Sequence, residues 1–499
     1  MKIRTLIGTL ATAGIALGLG QMTATAVPGD GGTSDTQAGP DVIVGAIPDV
    51  TKYGGATVNG ASIMAYAFGS TSCNIGTQQL DWYSGTSNHP IIPQNAYRIK
   101  NGRIEQIGLS WMKHGFCALQ QTLCGSCAPA GSGCPSLLGI GCSDPYTSSL
   151  NGSQTDLGPR FEANASTGYF PATGSTTWPS IPSGQGTIAR RVQINANDLN
   201  PAQNAGAVYV AECQYVHPQD AANNNDNNNA SYRLFTVGAL SGGAYTITLT
   251  GSTSQQKAAI YAWATVSPTV NYAVADAADG RYIVASNVTT NTDGSYHYEY
   301  AIFNYNSDSA GRSFSMPIPS GVTVSNMTFK DIAYHSGEPY NSTDWTMTMA
   351  GGMMKWECTE TFAQNANANA LRWSTLYNFS FDSNGVPGNG NAVIGLFKTG
   401  GSLGVATQVP VNPCKFADLD CNGIVDGADL GILLAHWGLC PDSTPGCLAD
   451  LDLNGVVNGA DLGSLLAGWG TAGNSDLDGN GTTDGADLGS LLAAWGVCP

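Results

Sequence analysis

Tyr97-Arg98-Ile99-Lys100-Asn101-Gly102-Arg103-Ile104-Glu105-Gln106-Ile107 is the stretch from which the fold class follows. Asn-Gly accepts the positive φ values that a two-residue hairpin turn demands, and apolar and charged residues alternate on either side of it. The pattern predicts two antiparallel strands, with Tyr97 and Ile99 on one face and Arg98 and Lys100 on the other. Comparable runs separated by turn residues recur upstream at 41–44 and 62–68. Downstream they recur at 188–194, 207–216, 232–237, 245–249, 282–286, 296–303, 312–319, 322–329, 345–349, 371–381 and 392–397. The run 312–319 reads as an edge strand because its prolines cannot donate to a ladder. The Asn-rich tract 223–229, interrupted by Asp226, reads as a loop joining an antiparallel pair.

Composition agrees with this reading. Only 11% of the 499 residues are charged, while Gly (64) and Tyr (20) are abundant, as suits a turn-rich sandwich. The expected architecture is mainly β: an antiparallel β-sandwich-like body of one or two modules, followed by a small α-helical repeat module at the C-terminus. The expected division is a signal peptide at 1–26, a flexible leader at 27–40, a Cys-containing β-rich module at 41–240, a β-sandwich-like module at 241–398, a linker at 399–413 and three repeats at 414–499.

The repeats start at Asp418, Asp450 and Asp476. A calcium loop needs oxygen ligands at positions 1, 3, 5, 9 and 12, a carbonyl at 7 and a Gly at 6. The first copy supplies Asp418, Asp420, Asn422, the Ile424 carbonyl, Asp426 and Asp429. The second supplies Asp450, Asp452, Asn454, the Val456 carbonyl, Asn458 and Asp461. The third supplies Asp476, Asp478, Asn480, the Thr482 carbonyl, Asp484 and Asp487. Each loop runs into an apolar stripe at i, i+3, i+4 and i+7: Leu430, Leu433, Leu434 and Trp437; Leu462, Leu465, Leu466 and Trp469; Leu488, Leu491, Leu492 and Trp495. A single loop-helix unit is too small to cover its stripe, so neighbouring copies are expected to pack Leu and Trp against each other.

This segment resembles the dockerin type I family, and in particular the Gly-Ala-Asp-Leu-Gly repeats of secreted planctomycete proteins; the body is similar in tone to uncharacterised secreted proteins of that group. The resemblance implies calcium as the cofactor and an extracellular protein partner, cohesin-like in the family. This chain departs from the family pattern in having three copies, and in carrying only Gly-Ala at loop positions 10 and 11.

Residues 411–499 hold twelve Asp, no Glu and one Lys, so most of the net charge of −17 belongs to the repeats. That balance speaks against nucleic-acid binding, which needs a basic surface. At the N-terminus, Lys2 and Arg4 precede an apolar run and Ala24-Thr25-Ala26 offers a cleavage site, so export is expected, with no membrane span in the mature chain. Five of the thirteen cysteines (Cys117, Cys124, Cys127, Cys134, Cys142) crowd one Gly- and Pro-rich segment, which in an exported chain reads first as disulfides; second, Cys124-x-x-Cys127 with Cys134 and Cys142 reads as a zinc site.

No nucleophile-elbow, zincin, phosphate-loop or dinucleotide motif is present. Glu357 and Glu360, near Trp356, are the carboxylate pair most readily drawn across a sugar. His89, His114, His217, His297 and His335 lie in the body, where a convergent set would hold copper or zinc. Trp82, Trp111, Trp178, Trp263, Trp345, Trp356 and Trp373 are candidate stacking platforms for a carbohydrate ligand. The expected function is a secreted calcium-binding protein whose repeats attach to an extracellular partner while the β modules bind a surface or glycan. The alternative is a polysaccharide-active hydrolase acting on O-glycosyl bonds, for which no catalytic residue is assigned.

Overall fold

The computed structural model describes residues 38–156, 158–172, 181–333, 337–412, 417, 419, 425–435, 448–452 and 456–497. The expected signal peptide and most of the leader lie outside these residues, as do His335, Trp178, Trp437 and the candidate ligands Asp418, Asp420, Asn422, Ile424 and Asn454. The chain forms two compact units, Met1–Val411 and Asn412–Pro499.

The first unit is built from antiparallel sheets. The Asn101-Gly102 hairpin is present as strands Gln94–Lys100 and Arg103–Leu109, with Lys100 opposite Arg103 and Ile99 opposite Ile104. Asn101 and Gly102 take φ of 51° and 78° at its turn. It lies inside an eight-stranded sheet in the order Ala244–Ser254, Ala230–Ser241, Val208–Gln214, Gln94–Lys100, Arg103–Leu109, Val192–Asn195, Ala61–Phe68, Val50–Val58. A three-stranded sheet, Val42–Ala46, Ser70–Asn74 and Ser143–Tyr146, packs on one face of it through Val42, Val44, Tyr66, Phe68, Tyr146 and Ile194. The other face presents Tyr97, Ile99, Ile104 and Val210 to Ile283, Ala301, Phe303 and Leu376 of a five-stranded sheet. That sheet in turn meets a second five-stranded sheet around Tyr298, Tyr300, Phe314, Trp356, Phe379 and Phe381. Alternation explains this layering, since strands such as Tyr296–Asn304 feed Tyr298 and Tyr300 into one core and Ala301 and Phe303 into the other.

Three local expectations are corrected. The 312–319 run is not an edge: strand Gly311–Pro317 pairs with Met353–Glu357 on one side and Val386–Leu396 on the other. Its proline is tolerated because pairing to the second neighbour ends at Ser315, before Pro317. The supposed linker is largely strand Ser402–Val411, paired from Val386–Val411 to Gly395–Ser402. Gly400 and Gly401, with φ of 68° and 80°, are the turn of that hairpin. Likewise Gly242 and Gly243 join Ala230–Ser241 to Ala244–Ser254 within one sheet, so the chain does not change module at 240.

Cys73 pairs with Cys124, Cys117 with Cys134, and Cys127 with Cys142. These bridges take up the four sulfurs considered for zinc. Cys213 and Cys358 are buried and free. No helix among the described residues is long and apolar enough to cross a membrane.

A buried polar network ties the eight-stranded sheet to its five-stranded neighbour. Glu212 accepts from Asn95 Nδ2 and the Tyr97 hydroxyl, each at 2.8 Å, and from the Ala259 N–H at 2.6 Å. Asn95 also donates to the Ser374 hydroxyl at 3.0 Å, and Gln106 accepts from the Leu376 N–H at 2.8 Å. Arg160 closes the set, donating to the carbonyls of Ser110, Ser374 and Gln94 and to Asn95 Oδ1. Burial pushes the Glu212 carboxyl and the Tyr97 hydroxyl above their ordinary pKa values.

Lys113 is also fully buried, and its ammonium donates to the Arg190 carbonyl. Burial first, then Arg191, Arg190 and Arg160, pushes its pKa down to about 7. Between that value and the ordinary lysine pKa the unfolded chain binds one more proton, so stability rises with pH across this window. Lys113→Met is expected to gain on the native chain at neutral pH and to lose that gain toward pH ~9.5, by about 1.4 kcal/mol per pH unit at most. Urea titrations of both proteins at several pH values check this; parallel profiles would refute it.

Candidate functional site

In the second unit the three helices Gly427–Ala435, Gly459–Ala467 and Gly485–Ala493 follow their loops as expected. The position-12 carboxylates hold the same place in each repeat. The N–H at loop position 2 donates to their Oδ1: Leu419 to Asp429 at 2.6 Å, Leu451 to Asp461 at 2.7 Å, Leu477 to Asp487 at 2.7 Å. The N–H at position 9 donates to their Oδ2: Asp426 to Asp429 at 2.8 Å, Asn458 to Asp461 at 2.8 Å, Asp484 to Asp487 at 2.7 Å. These N–H groups, Asn458 and Asp484 foremost, hold the Asp461 and Asp487 carboxyls below the usual carboxylate range. Their anchoring is therefore complete above the ordinary Asp pKa and is lost as pH falls through the depressed values.

Ligand atoms of Asp450, Asp452 and Asp461 lie within 4.8 Å of one another, as do those of Asp476, Asp478 and Asp487. Asp476 Oδ2 accepts from the position-6 N–H of Gly481 at 2.8 Å, while its buried Oδ1 has no hydrogen-bond partner. An orphaned carboxylate oxygen beside two further carboxylates fits a hard cation with oxygen ligands. The position-9 residues act as helix caps: Asn458 accepts from the Ala460 N–H and Asp484 from the Ala486 N–H, each at 2.8 Å. In the second loop, Asn458 Nδ2 also donates to the Val456 carbonyl at 3.0 Å, occupying the position-7 oxygen. Thr482 and Asn480 are exposed, with the Thr482 N–H bonded to Asn480 Oδ1 at 2.9 Å.

The apolar stripes pack only in part. Leu465 and Leu491 are buried with Ala449 and Val457, and Leu462 and Leu488 lie against them. Leu466, Trp469, Leu492 and Trp495 stay roughly half exposed, and Leu430, Leu433 and Leu434 are exposed too. The expectation that the tryptophans join the shared core is corrected. Both helices end before their Trp, at Ala467 and Ala493, and the stripe is wider than the seam between them.

In the first unit, a groove of about 320 Å³ lies between the hairpin tip and the neighbouring sheet, lined by Arg98, Lys100, Asn101, Arg103, Glu105, His297 and Glu299. Arg103 bridges Glu105 at 3.3 Å and Glu299 at 2.8 Å, and Arg98 holds Glu105 at 2.6 Å and Asp198 at 2.9 Å. His297 bonds Asp382 at 2.7 Å; Glu299, then Asp382, raises its pKa above the usual histidine value. Sequence reading missed this groove because its two walls are far apart in the chain; the charged face of the hairpin was its only local signal.

Each member of the carboxylate pair weighed from sequence is engaged by partners of its own. Glu357 is held by Arg312 at 2.7 Å and Lys355 at 2.6 Å, whereas Glu360 accepts from Asn341 and Asn365. Trp82, Trp111, Trp263, Trp345, Trp356 and Trp373 are all buried, so none serves as a stacking platform. Of the histidines, His89, His114 and His217 come together while His297 stands apart in the groove. His217 is a helix cap, its Nε2 bonded to the Asp81 carbonyl at 2.8 Å and its Nδ1 accepting from the Gln219 N–H at 3.0 Å.

Compared with protein-family models the chain matches none, and no curated protein matches it.

Proposed function

We propose that this is a secreted, calcium-binding attachment protein: its C-terminal repeats, ordered by calcium, dock an extracellular protein of the cohesin type, and its layered β body contacts a surface or glycan. The observation that carries the reading is the repeated carboxylate geometry of the loops, with position-12 oxygens anchored alike three times and an unpartnered Asp476 oxygen in the third. Asp450, Asp452 and Asp461 would hold one ion and Asp476, Asp478 and Asp487 another. Calcium supplies the positive charge that lets three carboxylates approach; the chain's own residues fix where they stand and which apolar side chains face outward. Leu466, Trp469, Leu492 and Trp495 are the apolar surface such docking would cover. On the body, the groove offers donors in Arg98, Asn101 and Arg103 and acceptors in Glu105 and Glu299, the mixture a hydroxylated saccharide uses. Export accords with the three disulfides.

The test is surface plasmon resonance of the whole chain against a panel of cohesin domains, in millimolar calcium and in chelator. Binding should require calcium and weaken at least ~10-fold in Leu492→Asp, the loss of one central apolar contact. Binding that survives the chelator unchanged would contradict the reading.

A further inference from the structure

We propose that the strand Thr346–Ala350 pairs antiparallel with the same strand of a second copy of this chain, joining two five-stranded sheets across a two-fold axis at Thr348. The strand is the outermost of its sheet, paired on one side to Met353–Glu357, and all five of its residues are exposed. Its sequence, Thr-Met-Thr-Met-Ala, carries neither charge nor proline, and its five pairs run without a bulge.

The other outer strands of the large sheets are closed or blunted, as the edges of soluble proteins are. In the eight-stranded sheet, Lys52 of one outer strand donates to the Ala244 carbonyl of the other at 3.4 Å. Asn271–Ala277 and Ser402–Val411, outer strands of the two five-stranded sheets, lie against each other. Val324–Lys330 is bulged between Ser325 and Thr328, with Asn326 at φ 50°, and ends in a lysine. Of these outer strands, Thr346–Ala350 alone keeps a straight, charge-free edge open.

Register fits this edge to its own copy. Gly351 and Gly352, with φ of 59° and 72°, make a two-residue turn, and such a turn is closed by a hydrogen-bonded pair, here Ala350 and Met353. Bonding within the hairpin then falls on Ala350, Thr348 and Thr346, so the N–H and C=O of Met347 and Met349 point away from it. Laid antiparallel on itself about Thr348, the strand sets Met347 of one copy opposite Met349 of the other. Those are the residues whose backbone groups point outward, and each such pair closes two N–H to carbonyl bonds.

The side chains agree. Met347 and Met349 share a face with their partners Trp356 and Met354, which are 0% exposed in the core between the five-stranded sheets, yet are themselves 43% and 48% exposed. A second copy brings the same two methionines to that face, so the core continues across the axis. On the opposite face Thr346 meets Ala350 and Thr348 meets itself, and no like charges are set opposite each other. The two-fold arrangement uses up both edges, so association stops at the dimer.

Sedimentation velocity of the full chain, run in calcium and in chelator to separate this contact from the repeats, tests the proposal. A monomer–dimer equilibrium should appear under both conditions by ~100 μM. Met349→Lys places a charge on the edge, and Met349→Pro removes an outward N–H that the hairpin does not use; each should weaken the dimer at least ~10-fold. Thr348→Cys reports the register, because opposed Cα atoms of a non-hydrogen-bonded pair stand about 4.5 Å apart, within disulfide reach. Mild oxidation of that variant should give a dimer whose linked peptides join position 348 of both copies, with the native chain oxidised alongside as control for its own cysteines. A chain still monomeric at ~100 μM, a dimer seen only in calcium or equally strong in both Met349 variants, no linkage at position 348, or a monomer that takes up a foreign strand peptide instead would each overturn the proposal.

Discussion

Arg160→Ala is expected to destabilise the body by about 3–5 kcal/mol, the range for removing one partner of a buried charged network. The side chain is 4% exposed and donates to three carbonyls and to Asn95 Oδ1. Alanine would take one donor from each of the four acceptors: Gln94 O keeps the Ser110 N–H, Ser374 O keeps Asn95 Nδ2 and Asn95 Oδ1 keeps Gln106 Nε2, while the buried Ser110 carbonyl bears the larger cost of a lost partner. The loss spreads through Asn95, which links the guanidinium to Glu212 and Ser374 and hence one sheet to the next. Glu338 would feel it as well. Burial lifts that carboxyl to about 7 against the pull of Arg160, so removing the guanidinium should raise it further. Denaturant unfolding followed by tryptophan fluorescence reads the change, since six tryptophans are buried in this unit. A loss under ~1 kcal/mol, the size of an ordinary surface effect, would mean that the network does not join the sheets.

How much of this was legible in the sequence depends on the range over which each feature is encoded. The Asn101-Gly102 hairpin and strands such as Tyr296–Asn304 were readable because turn chemistry and alternation act within a few residues. The central place of Gly311–Pro317 was not, because strand order depends on which distant segments pair and not on the strand's own prolines. Ser402–Val411 was mistaken for linker because Gly400-Gly401 looks the same whether it ends a domain or turns a hairpin. The position-12 carboxylates were visible from spacing, whereas their backbone partners at positions 2 and 9 were not. The exposure of Trp469 and Trp495 shows the limit of a periodicity argument, which finds an apolar stripe and leaves open what covers it. His89 and His114 carried no spacing signal at all. Strand pairing between Ile91 and His114 brings them together.

Removing calcium is expected to have the second large effect, and to confine it to the repeats. Their core is small, with Leu465, Leu491, Val457 and Ala449 the buried apolar side chains among the described residues. Burying a leucine contributes about 1.5–3 kcal/mol, against a backbone ordering cost of roughly 1–2 kcal/mol for every residue fixed. The carboxylates gathered within 4.8 Å repel one another when no cation is between them. Each loop held at a hundredfold excess over its dissociation constant adds about 2.7 kcal/mol, so filling the loops contributes as much as the apolar contacts do. The body has its own apolar cores and three disulfides, so it is expected to hold without the loops.

Hydrogen–deuterium exchange of the intact chain, resolved by peptide and run in millimolar calcium and in chelator, tests this most directly. The account predicts slow exchange over Gly459–Ala467 and Gly485–Ala493 in calcium, fast exchange there in chelator, and no change in strands such as Tyr296–Asn304. Equal protection of both helices under the two conditions would contradict it.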